Sequence, residues 1–97
     1  MIERIILFKL NDPATREECA ALTVAALDEI DAIEELSVGV PADASSEKSW
    51  DLSLVLGVAN LALLDTVLAG EAFTAFLDGE MKPRSTVIKA WSFERLG

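Results

Sequence analysis

The sequence predicts an α+β fold in which one four-stranded antiparallel sheet carries helices on one face and apolar side chains on the other as well. Three observations lead there. Extended and helical patterns alternate in the order β-α-β-β-α-β along the 97 residues. The two most apolar runs, Ile5–Phe8 and Leu52–Leu56, fall in the first and third extended segments, marking these as the central strands. The opening segment Met1–Leu10 is apolar on both sides. Successive side chains on a strand point to opposite faces, so Ile6, Phe8 and Leu10 share one face with Arg4, and Ile5 and Leu7 the other. Helices cover only one of these faces. In a chain of this size the simplest cover for the second is another copy of the chain.

Each element has a local reason. After the first strand, Asn11-Asp12-Pro13 signals a turn, and Thr15-Arg16-Glu17-Glu18 fits a capping box opening a helix. Cys19, Leu22, Ala26, Leu27 and Ile30 then recur at three- and four-residue steps, predicting an amphipathic helix over about 16–31 with Cys19 on its buried stripe. Glu35–Val40 is short and closes at Pro41, as suits an outer strand. Ala42–Ser49 is small, polar and without period. It reads as the most mobile loop, of the kind that borders binding sites. Trp50–Val58 is the second apolar strand of the pair. Asn60 caps a helix through Leu68, Gly70 ends it, and Glu71–Leu77 resumes helix with Ala72, Phe73 and Phe76 on one side. Gly79–Arg84 reads as a turn around Pro83, and Thr86–Glu94 as the last strand. The order is the split pattern of a ferredoxin-like fold, here with the first and third strands expected central and parallel. No linker or repeat divides the chain, so residues 1–97 are expected to form one domain.

Composition narrows the function classes. The net charge of −9, with only eight scattered Lys and Arg, argues against nucleic acid and against an anionic membrane surface. The acidity keeps a chain that is 52% apolar in solution. No apolar run approaches the roughly 20 residues of a membrane span. Glu3, Arg4 and Lys9 break up what would otherwise resemble a secretory signal, and a cytoplasmic location is expected. Cys19 is the only cysteine and there is no histidine, which removes intrachain disulfides, Ser-His and Cys-His pairs and the usual transition-metal sites; no cofactor is expected. No glycine-rich phosphate loop exists.

The opening Met-Ile-Glu-Arg-Ile-Ile-Leu-Phe-Lys-Leu, followed by Asp-Pro-Ala-Thr and an acidic helix start, resembles the stress-responsive dimeric α/β-barrel domains. Leu36-Ser37-Val38-Gly39, Ser49–Val55 and Ala72–Leu77 extend the likeness over nearly the whole chain. The resemblance implies a ferredoxin-like protomer whose sheets pack face to face in a homodimeric barrel. It also implies a pocket between sheet and helices, which in the enzyme-like members, among them a plant polyketide cyclase, carries polar groups and histidines. This chain departs from that pattern. Arg4 stands where family members commonly have histidine, and Leu68-Ala69-Gly70-Glu71-Ala72 replaces a His-Pro-x-His segment. Leu52 falls near a cyclase histidine, and tyrosine is absent. The family's acid–base mechanism therefore does not transfer, and the enzyme reading is disfavoured.

The remaining candidates are ligand-binding. Arg4 offers paired N–H donors for a carboxylate, enol or phosphate oxygen, against a plain salt bridge at a strand end. Trp50 and Trp91 offer a stacking face and an indole donor, against a place in the core or the dimer interface. Phe8, Phe73 and Phe76 complete the expected lining of a pocket for a small apolar or weakly anionic molecule. Lys9 and Lys89 are read as solvated strand lysines, and Asp51 and Glu94 as exposed or ion-paired carboxylates rather than general bases. Three functions stay open: a homodimeric binder, a cofactor-independent cyclase, isomerase or monooxygenase on a polyketide- or quinone-like substrate, and a structural or stress-protective dimer.

Overall fold

A computed structural model describes residues 1–97. Strand β1 (Ile2–Leu10) leads through a 3-10 turn (Pro13–Thr15) into helix α1 (Arg16–Leu27), then β2 (Glu35–Gly39), a short helix α2 (Ala44–Ser49), β3 (Leu52–Val58) and α3 (Leu61–Ala69). Helix α4 (Glu71–Thr74) continues through wider π-helical turns over Ala75–Met81 into a last turn α5 (Lys82–Arg84), and β4 (Ser85–Glu94) closes the sheet. The strand order is β2-β3-β1-β4, with β1 and β3 central as expected.

The sheet is antiparallel throughout, as expected, and this holds for the two central strands as well, which were expected parallel: Ile2 pairs with Val58 and Phe8 with Leu52. The connections require it. The α1 crossover returns the chain to the same end before β2, so β1 and β2 point the same way. The β2–β3 reversal then sends β3 back between them, antiparallel to both.

The even-numbered residues of β1 and β3 build the core. Ile6, Phe8, Leu10, Leu52, Leu54, Leu56 and Val58 are all buried beneath the helices, with Cys19 and Leu27 of α1, Leu64 and Val67 of α3, and Phe73, Phe76 and Met81 of the last helical segment. Thr23 joins them by bonding its hydroxyl to the Cys19 carbonyl at 2.7 Å, which satisfies the polar atom within the helix. Fully burying one such Leu, Ile or Phe contributes about 1.5–3 kcal/mol.

Local structure differs from the sequence reading in four places. The side chain that caps the helical start is Asp12, which accepts from the Ala14 N–H at 3.0 Å, while the Thr15 hydroxyl bonds back to the Asp12 carbonyl at 2.8 Å. Helix α1 stops at Leu27, with Ile30 still packed on the core from the following turns. The polar segment 42–49 holds a helix, because Asp43 accepts from the Ser46 N–H at 2.8 Å and supplies an N-cap. Gly79–Arg84 stays helical: the π-helical turns run to Met81 and keep it in the core, and Pro83, which has no N–H to give, falls in the first turn of α5. No helix is long and apolar enough to cross a membrane.

Candidate functional site

Between sheet and helices the space is packed. The Phe8 and Phe76 rings meet edge to face with centroids 6.4 Å apart, and Phe73 tilts against Phe76 at 6.0 Å. Phe8, Phe76 and Met81 are at most 1% exposed. Three of the expected lining residues thus come together, and they fill the volume they were expected to border.

Arg4 lies on this same face at the far end of the sheet, level with Leu56 on one side and Ser92 on the other. Its Nη1 donates to the Ser92 Oγ at 3.1 Å, while its Nε is buried without a partner. Trp91 stands on the opposite face. It is level with Ile5 in the β1–β4 register, so it shares the side of Leu7 and Val55 and is separated from Phe8 by the sheet itself. Trp50 precedes β3 rather than sitting in it, and ends α2 in extended backbone.

Next to Trp50, the buried Asp51 organises this end of the molecule. Its Oδ2 accepts from the Leu10 N–H at 2.8 Å, and its Oδ1 takes both Nε and Nη2 of Arg16, at 3.0 and 2.6 Å. Lys9 approaches to 4.0 Å. Burial pushes the Asp51 carboxyl up, but the Arg16 guanidinium, the Leu10 N–H and Lys9 together outweigh it and hold the group below its ordinary range. An ionised carboxylate locked to a guanidinium is a bracket, not a general base. The bracket reaches α2, since Arg16 also bonds Glu47 at 3.3 Å and Lys9 donates to the Lys48 carbonyl at 3.3 Å.

What the bracket holds in place is one wall of a groove of about 620 Å³. It is lined by Val40 and Pro41, by the serines of α2, by Trp50, and by Leu7, Leu52 and Ser53 of the sheet. The polar 42–49 segment was expected to border a site, and Trp50 to line one. Ser53 carried no sequence signal, because nothing in its neighbours marks a strand serine as facing a cavity. No group of His, Cys, Asp or Glu side chains is arranged to hold a metal ion.

Beyond the groove, the open face of the sheet is apolar at its centre and ionic at one end. Trp91 is 46% exposed and Phe93 55%, with Ile5, Leu7 and Val55 beside them only half-buried. At the end, Arg95 bridges Glu3 at 2.7 Å and Glu35, which pulls the Glu35 carboxyl below its usual range. Gly57 lies between these two carboxylates in register, where a Cβ would meet Met1 Sδ at 2.9 Å.

Residues 2–90 match the sequence profile of the Stress Responsive A/B Barrel Domain, Dabb. The chain belongs to the Dabb family. Its fold is shared by proteins of known structure, one of them a Dabb protein. The Arabidopsis thaliana protein At3g17210 superposes with a TM-score of 0.82 at 10% identity, covering 100% of this chain and 97% of that one. A Dabb protein with a ferredoxin-like fold from Mesorhizobium loti gives 0.81 at 13% identity, covering 99% and 97%. A dimeric ferredoxin-like protein of unknown function from Thermobifida fusca gives 0.79 at 18% identity, covering 95% and 88%. No curated protein matches the sequence.

Proposed function

We propose that this Dabb protein works as a homodimer whose two sheets meet through their open faces, and that the barrel so formed binds a small, largely apolar molecule rather than catalysing a reaction on it. The observation that carries the dimer is the open face. Trp91, Phe93, Ile5, Leu7 and Val55 form one contiguous apolar surface on a sheet whose other side is already covered by helices. A surface of that kind on a small chain marks an association site. A self-complementary patch on a single chain pairs most simply about a two-fold axis, and the fold relative from Thermobifida fusca is itself described as dimeric.

Binding is favoured over catalysis by what the side chains can do. Histidine and tyrosine are absent. The one fully buried carboxylate, Asp51, is committed to Arg16 and the Leu10 N–H. A general acid or base needs a group whose proton is free to move at neutral pH. The groove beside Trp50 supports the binding reading.

Replacing Leu7 with Glu puts a carboxylate on the open face, level with Ser53 and Lys89, without touching the core. The variant is expected to elute as a monomer on size exclusion while keeping its far-ultraviolet circular dichroism. An unchanged dimer would sink the face assignment.

A further inference from the structure

Resting on the binding reading above, we infer that the ligand site is the groove between α2 and the open face of the sheet, and that it takes a small, uncharged, planar molecule bearing hydroxyl or carbonyl groups, held against Trp50. The volume of about 620 Å³ lies in the range of small-molecule sites. In a chain with eight cationic and seventeen acidic side chains, none of them lines this groove. An ionic ligand would leave its charge uncompensated there, which is costly.

Hydroxyl groups stand on both sides: Ser45, Ser46 and Ser49 on α2, and Ser53 on β3. Ser45 donates to Asp43 at 3.2 Å, but the Ser49 and Ser53 hydroxyls make no hydrogen bond within the protein. A purely aliphatic ligand would strip water from these hydroxyls and return nothing. A flat molecule with polar groups at its rim bonds them while its face lies on the Trp50 indole, beside the Leu7 edge that the dimer seam also uses.

Two features keep the groove formed before any ligand arrives. The first is Gly39, which faces Ser53: a Cβ there would come within 3.0 Å of the Ser53 Oγ, so the missing side chain leaves that hydroxyl open to the groove. The second is the Asp51 bracket, which fixes α2 through Arg16–Glu47 and through Lys9 on the Lys48 carbonyl. A preformed wall spares the ordering cost of binding.

The test is a nitrogen-15 NMR titration of the full chain with 2-naphthol, 2-naphthoate and 1-octanol. Saturable shifts are expected with 2-naphthol at the amides of Ser49 and Ser53 and at the Trp50 indole N–H, with 2-naphthoate at least about tenfold weaker. Trp50→Leu should weaken 2-naphthol about tenfold and Ser53→Ala about fivefold. Should Trp50→Leu fail to fold, Ser49→Trp, which fills the groove from the exposed helix α2, carries the same expectation. Equal binding of 2-naphthoate or of 1-octanol would overturn the ligand class. Shifts centred on Arg4, Phe8 and Ser92 would overturn the groove while leaving the protein a binder. Groove signals that move only on dilution to monomer would assign the groove to the partner chain and overturn the inference. No response to any of the three probes would remove the groove and the binding reading together, and leave the dimer untouched.

Discussion

Ile5 and Trp91 stand level in adjacent strands on the open face of the sheet, and there Trp91 keeps 46% of its surface exposed. A large aromatic at the middle of an apolar patch is the kind of residue that dominates an interface. Trp91→Ser is therefore expected to weaken self-association at least about thirtyfold, read from the dilution dependence of the sedimentation coefficient. Its thermal stability at high dilution should hardly change, because the side chain contributes nothing to the core beneath the helices.

Asp51 makes the fold acid-sensitive in a defined window. Its carboxyl lies below the ordinary value of 3.8 in the folded protein, despite the upward push of burial, because Arg16, the Leu10 N–H and Lys9 favour the charged form. A lowered folded value means that the ionised group stabilises the fold above the unfolded value, and that this contribution drains away as the pH falls below about 4. Asp51→Asn should be clearly less stable than the parent at neutral pH, and the gap between their urea midpoints should close in acid. A gap that stays constant well below that pH would mean that the charge of Asp51 plays no part.

Phe76 tests whether the space between sheet and helices is core or site. It touches both Phe8 and Phe73 and is 1% exposed. Phe76→Ala should cost about 3–5 kcal/mol by urea denaturation, the range for emptying a packed aromatic position. A loss under about 1 kcal/mol would show a cavity already present there.

Arg4 carries a buried Nε with no partner and one bond from Nη1 to Ser92. An unsatisfied buried donor costs about 1–3 kcal/mol, comparable to what the single Ser92 bond returns. Arg4→Met should leave the dimer intact and raise the urea midpoint slightly. A marked loss of stability would mean that Arg4 is held by contacts the fold needs.

How far the sequence could be read depended on whether the deciding contacts were local. The two faces of β1 were legible because Ile6, Phe8 and Leu10 alternate with Ile5 and Leu7, and alternation is a property of a strand by itself. The face of Trp91 was not. In β4 both Ile88 and Ala90 on one side and Val87, Trp91 and Phe93 on the other are apolar, so only the pairing with Ile5 decides which side meets the helices. Helix α2 lacks an apolar stripe because it packs through Arg16–Glu47 and a cap, neither of which hydropathy registers. The bracket around Asp51 draws on Leu10 and Arg16, which lie 41 and 35 residues away, and no spacing rule anticipates that meeting. The parallel run expected of β1 and β3 is overturned: the crossover and the reversal together make them antiparallel.

The most direct measurement is sedimentation equilibrium of the unaltered protein over a concentration series. The chain has a mass of 10.5 kDa, and sheets joined through Trp91, Phe93, Ile5 and Leu7 predict twice that mass across the micromolar range. A mass of 10.5 kDa at every concentration would leave that apolar face bare in solution and contradict the dimer on which the account rests.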